Sequence, residues 1–360
     1  MKTAGIKSIQ KATKDNLIAF GIVIVFYIVV QVMSACGVLT SSFSGQLIPV
    51  CAYAIMAVSL NLTVGILGEL SLGHAGFMSV GAFTGVLVFT NLTPALPSAA
   101  AMVLALAAGA LAAGVCGLLI GIPVLRLSGD YLAIVTLAFG EIIKNLLNAM
   151  YLGVDAAGLH VSFKDAGSMN LASDGKVLIN GALGITGIKK ESTFTLGIVL
   201  LIITLAVILN LIHSRSGRAI MAIRDNEIAA ESIGIDLTKY KLMAFITSAV
   251  FAGVAGVLYA LNYSTLVATK FNYNTSIQIL VFVVLGGIGN ISGSIVAAAV
   301  LTVLPEMLRV MKDYRMLIYS IALIVMMIFN QSPAMISWRK RFVSKVKSNH
   351  SGKTGGKEVG

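Results

Sequence analysis

The sequence predicts an all-α integral membrane protein, on three observations. Only 11% of the residues are charged and 57% are hydrophobic, with a mean hydropathy of +0.93; a soluble domain carries about 25% charge. The apolar residues run in long unbroken stretches, where a membrane barrel would show alternating strands of about ten residues. Lys and Arg gather in a few polar segments between those stretches.

The net charge of +11 follows from that gathering, since Lys and Arg collect on the cytoplasmic side of membrane proteins. It implies membrane lipid as a partner and no nucleic acid. Cys36, Cys51 and Cys116 all lie in apolar runs, which suits small buried residues and no disulfide framework or metal site.

Ten apolar stretches fit spans, at 17–40, 46–66, 71–92, 98–124, 131–151, 193–212, 241–261, 276–289, 293–309 and 316–330. Each is near the roughly 20 residues that cross a bilayer, except the short pair after 276. The chain divides into a basic N-terminus (1–16), a transmembrane domain (17–330) and a basic tail (331–360). Segments 152–192 and 213–240 are its long polar loops. Seventeen of the 26 Lys and Arg fall in 1–16, at Arg126, in 213–241 and in the tail. With ten spans those faces share one side, expected to be cytoplasmic, and both termini lie there. The MSAC ending at Cys36 has the form of a lipoprotein processing box; the apolar run before it fits an ordinary first helix. Segment 152–192 is rich in Gly and Ser and falls outside, either as a surface loop or as a docking ledge.

Segment 224–240, RDNEIAAESIGIDLTKY, is a charged island. Asp225 or Asn226 can cap a helix start and Gly234 suits its left-handed end. Between them EIAAESI makes about two turns, roughly 12 Å, too short to span and marginal alone in water. Ala229 and Ala230 permit close approach, while Arg224, Asp225, Glu227 and Glu231 keep the rest wet. A solvated loop helix and a docking knob for a cytoplasmic subunit both fit.

The island resembles the coupling loop of ABC-importer permeases, whose pattern is Glu-Ala-Ala, three residues, then Gly. Here Ala229 and Ala230 precede Gly234 at that spacing, with Ile228 at the first position and Glu227 before it. NLTVGILGELSLGHAGFMSVGAF (61–83), GLLIGIPVLRLSGDYLAIVTLAFGEII (117–143), SRSGRAIMAIRDNEIAAESIGID (214–236), AFITSAVFAGVAGVLYA (244–260) and VVLGGIGNISGSIVAAAVLTVLPEMLR (283–309) are similar to LivM-type permease subunits of the branched-chain amino acid ABC transporter family. Members often carry Thr-Gly-Gly near the start of the external loop, where this chain has LGVDAAGL (152–159).

The resemblance implies a non-catalytic permease subunit of an importer for Leu, Ile and Val in a bacterial inner membrane. A LivH-like second permease, two cytoplasmic ABC ATPases and an extracytoplasmic amino-acid-binding protein would be its partners. The coupling helix would sit on one ATPase, whose closure would alternate access. ATP and Mg would be held by those ATPases, and no cofactor by this chain. SGKTGG (351–356) contains Gly-Lys-Thr, but a phosphate loop needs an earlier glycine where Lys347 stands. Permeases for urea and short-chain amides belong to the same family and are the alternative. An ion-driven transporter working through Glu141, Lys144 or Glu69 is a more distant one. The four scattered histidines, His74, His160, His213 and His350, do not suit an enzyme.

Two polar interruptions share a pattern: GELSLGHAG (68–76) and GGIGNISGS (286–294). Paired interruptions point to an internal repeat and to discontinuous helices near a substrate path; simple turns between spans fit as well. The residues concerned are Gly68, Glu69, Ser71, Gly73, His74, Gly286, Gly287, Gly289 and Asn290. Within a span, Glu141 and Lys144 are three residues apart on one helical face and can pair. That pair either neutralises itself or serves gating or subunit contact. Small-residue runs such as 99–119 suit close helix packing.

Overall fold

The computed structural model describes residues 2–37, 41–93, 95–127, 129–155, 158–165, 167–169 and 175–308, with isolated positions from 314 to 328. They form two units, residues 1–303 and 304–360. In the second, Leu304–Met307 and the described positions from 317 to 328 are helical. The expected span 316–330 falls largely outside the described residues, and the tail 331–360 wholly so.

In chain order the helices are α1 (Lys2–Ala35), α2 (Ser41–Asn61), α3 (His74–Leu92), α4 (Ser98–Val124), α5 (Asp130–Ala149), α6 (Phe194–His213), α7 (Arg215–Asp225), α8 (Glu227–Ser232), α9 (Leu237–Ala260), α10 (Tyr273–Gly286) and α11 (Ile291–Met307). Among the described residues seven are long and apolar enough to cross a membrane: α1 from Leu17, α2, α3, α4, α5, α6 and α9. The chain is thus a helical membrane protein, as its composition predicts. The spans expected at 276–289 and 293–309 are shorter than a crossing. At 14 and 17 residues, α10 and α11 reach about 21 and 26 Å against a core of roughly 30 Å. Gly287 and Gly289, at φ +96° and +79°, end α10 where apolar composition alone suggests continuation.

α2 is the central pole. It runs on into a π-helical turn, Leu62–Leu67, and 89% of its span is buried. α6, α9 and α10 pack against it, and α3, α4 and α9 pack against one another at backbone distance. A Cβ on Gly253 of α9 would lie 2.5 Å from the Ala113 Cβ and 2.6 Å from the Gly109 oxygen. Only small residues permit such an approach, which is how apolar helices associate without a hydrophobic drive between them. α3 runs parallel to α9 and α4 antiparallel, since Gly81 and Gly85 meet Gly253 and Val257 while Gly117 and Gly121 meet Ala249 and Phe245.

Segment 152–192, expected as a loop, contains strands. β1 (Tyr151–Asp155) pairs antiparallel with β2 (Gly158–Ser162) and β3 (Lys176–Asn180), and β4 (Ile185–Thr186) pairs with β5 (Thr265–Leu266). Short β-branched runs, with Leu178 and Ile179 buried, make the sheet despite the Gly and Ser around them. This sheet and the α7–α8 segment lie at opposite ends of α6, a 20-residue helix about 30 Å long.

Candidate functional site: the charged island and the helix break

The island folds as its caps dictate. The Ser214 hydroxyl accepts from the Gly217 amide at 3.1 Å and starts α7. Asn226 is extended, φ −160°; it stops α7, and its Oδ1 accepts from the Ala229 amide at 2.9 Å to start α8. Of the two expected capping residues, Asn226 takes the role, while Asp225 pairs with Arg224 at 2.9 Å on the surface. α8 ends in a Schellman motif. The Ile235 amide donates to the Ala230 carbonyl at 3.1 Å and the Gly234 amide to that of Glu231 at 2.9 Å, with Gly234 at φ +87°. Asp236 then caps α9 through the Lys239 amide, 3.0 Å away.

α8 turns one small side chain inward and two large apolar ones outward. Ala230 is buried, whereas Ile228 is 79% exposed and Ile233 77%. Exposed isoleucines on a two-turn helix among charges are what a docking contact needs.

The island is fastened to the first interruption. Lys241 Nζ donates to Glu69 Oε1 and to Glu227 Oε1, both at 2.8 Å. The lysine side chain is 4% exposed, so an ammonium held away from water bridges the second residue after the π turn and the first residue of α8. Arg224 adds a second tie, its Nη1 donating to the Gly65 carbonyl at 3.1 Å, with its stem packed against Gly68.

The second interruption meets the end of α2 and the π turn, just ahead of the first. Asn61 is fully buried; its Oδ1 accepts from the Gly289 amide and its Nδ2 donates to Ser294 Oγ, each at 2.9 Å. A Cβ on Gly65 would stand 2.4 Å from the Gly289 nitrogen. Gly286 crosses Gly293 just as closely, and Asn290 Oδ1 accepts from the Gly293 amide at 3.2 Å.

The remainder of the first interruption is packed inward. Gly73 lies against the Thr136 carbonyl of α5, and the Leu72 amide donates to Thr136 Oγ1 at 3.0 Å. The Ala75 amide donates to Ser276 Oγ, also at 3.0 Å. His74 is buried, its Nε2 2.8 Å from Ser59 Oγ. The Ser59 hydroxyl donates to the Met56 carbonyl at 2.9 Å, so Nε2 is the donor to Ser59. Ser71 is buried, and its hydroxyl meets no partner among the described residues. Glu141 and Lys144 pair, and Glu141 Oε1 also accepts from the Tyr273 amide at 2.9 Å, so α10 begins beside the middle of α5.

Lys241, Asn61, Thr136 and Ser276 did not stand out in the sequence as site residues. Lys241 offered one signal, a lysine at the start of an apolar span; Asn61 offered another, an amide closing an apolar run just before an interruption.

Seven crossing helices, two shorter ones broken at glycines, and a capped surface helix tied to one break define a polytopic membrane permease. The chain belongs to the family described as branched-chain amino acid transport system / permease component, whose pattern it matches over residues 42–329. It is 35% identical over 290 residues to the high-affinity branched-chain amino acid transport system permease proteins LivM of Salmonella typhimurium and of Escherichia coli K12. That match covers 77% of this chain and 66% of each relative. It is 25% identical over 257 residues to the E. coli K12 permease protein LivH, covering 69% of this chain and 79% of the relative. No solved structure matches the chain.

Proposed function

We propose that the chain is a membrane-spanning, non-catalytic permease subunit of an ATP-driven importer for branched-chain amino acids. α8 is its contact with an ATPase subunit that holds ATP and Mg. The end bearing α7 and α8 is cytoplasmic, in keeping with Arg215, Arg218, Arg224, Lys239 and Lys241 there. The end bearing the β-sheet faces out, toward an amino-acid-binding protein. A LivH-like permease is the second half of the pathway, and likeness to both LivM and LivH supports such a pair.

The observation that carries this reading is the Lys241 bridge. A push on α8 passes from Glu227 to the buried Lys241 and Glu69, and through the 61–68 turn it reaches Gly289 and α11. The two breaks are the places where the bundle can change shape, as in transporters built from discontinuous helices.

The test is co-purification of the chain with its ATPase and second-permease partners, followed by leucine uptake in proteoliposomes. Ile228→Glu with Ile233→Glu is expected to release the ATPase while leaving the chain's thermal stability unchanged, because both side chains are solvent-facing. Full ATPase retention by that double variant would overturn the docking role. Uptake of urea in place of leucine would overturn the substrate.

A further inference from the structure

α5 carries a polar stripe that coupling does not use. Glu141, Lys144, Asn145 and Asn148 stand at i, i+3, i+4 and i+7, one face of a helix, in the second half of a 20-residue span. The stripe borders the open apolar face formed by Ile134, Ile142 and Leu146. Glu141 keeps 26% of its side-chain surface and Lys144 19%; Asn145 is exposed and Asn148 half-buried. Polar groups at this depth turn toward a bundle interior or a wet path rather than lipid.

The unfilled valences of the stripe name what it lacks. Both Glu141 oxygens are engaged, Oε2 by Lys144 and Oε1 by the Tyr273 amide. An ammonium has three donors, and Lys144 meets one acceptor among the described residues, Glu141. Asn148 Oδ1 is buried with no donor among the described residues. The missing ligand therefore brings an acceptor to Lys144 and a donor to Asn148, whose Cβ atoms at i and i+4 stand about 6 Å apart. A free α-amino acid carries a carboxylate and an ammonium on one carbon and meets both demands.

We propose that Lys144, Asn145 and Asn148 form a station in the second half of the α5 span for the zwitterionic head of the transported amino acid, its carboxylate on Lys144 and its ammonium on Asn148 Oδ1. Ile142 and Leu146 border the station on its apolar side. Glu141 is a positioning residue that holds Lys144 in place and caps α10. This inference rests on the reading of the chain as an amino acid permease.

The experiment uses the assembled importer in proteoliposomes, with Cys36, Cys51 and Cys116 replaced by Ala. Asn145→Cys and Ile142→Cys are probed with a small cationic methanethiosulfonate. Asn145→Cys is expected to react, and L-leucine, unlike L-leucinamide, is expected to slow the reaction at least about fivefold; Ile142→Cys is expected to be indifferent to both ligands. Lys144→Gln is expected to raise the KM for leucine about tenfold, the loss of one charge-assisted hydrogen bond, and Lys144→Arg to restore most of it. Normal uptake with an unreactive or unprotected Asn145→Cys and an unchanged KM in Lys144→Gln would overturn the station. Loss of the second permease from Lys144→Gln on gel filtration would overturn it too, assigning the stripe to subunit contact. Absence of leucine uptake by the unaltered importer would instead defeat the reading of function beneath it.

Discussion

Lys241 and Glu69 lie 172 positions apart in the chain, yet their Nζ and Oε1 atoms are 2.8 Å apart, and the same ammonium reaches Glu227 at 2.8 Å. Lys241 is 4% exposed and Glu69 12%, whereas Glu227 is 45% exposed. The three charges are therefore unequal. Glu227 can turn to water if released, but Glu69 cannot. Lys241→Met is expected to destabilise the protein by about 3 kcal/mol, the scale of an orphaned buried charge. Glu69→Gln in the same chain is expected to recover much of that loss, since it removes the stranded carboxylate. Thermal unfolding of the four members of that double-mutant cycle in detergent measures the coupling. Additive losses would show that the pair contributes nothing.

The contact between the end of α2 and the second break depends on one amide. Asn61→Leu keeps the volume but strands the part-buried Gly289 amide, while the Ser294 hydroxyl keeps its bond to the Asn290 carbonyl. An unmet amide costs about 1–3 kcal/mol, and a destabilisation on that scale is expected, read as a lower unfolding midpoint.

Much of the fold and part of the site are legible in local sequence. Asn226 and Gly234 announce the ends of α8 because caps act within three or four residues, and the apolar runs announce the seven long spans because burial in lipid is a property of composition. The role of Lys241 depends on Glu69, which no local pattern connects to it. The meeting of Gly65 with Gly289 is equally non-local. The shortness of α10 is legible, but its start at Tyr273, ahead of the expected 276, is partly hidden because the Tyr273 amide donates to Glu141 on another helix. The sheet is hidden because five-residue strands among Gly and Ser carry little periodic signal.

Gly253 tests the packing of the central helices. Gly253→Ala adds one methyl at 2.5 Å from Ala113 and 2.6 Å from the Gly109 carbonyl. Overpacking of this kind costs about 1–3 kcal/mol. The expected result is a lower unfolding temperature, recovered in part by Ala113→Gly, which clears the opposing methyl.

Gly234 isolates a purely conformational effect. Its φ is +87°, and no atom beyond its neighbours lies within 4 Å of a Cβ built on it. Gly234→Ala therefore meets no clash and carries only the left-handed backbone penalty, about 1–2 kcal/mol. That penalty falls on α8, a six-residue helix with little stability of its own. The expected outcome is a small change in global stability with a large loss of ATPase coupling, because fraying of α8 frees Ile228, Ile233 and the Glu227 end of the Lys241 bridge. Gly234→Asn, better tolerated in that conformation, should retain more coupling than Gly234→Ala. Equal loss in the two variants, or full coupling in both, would show that the fixed end of α8 does not matter to transport.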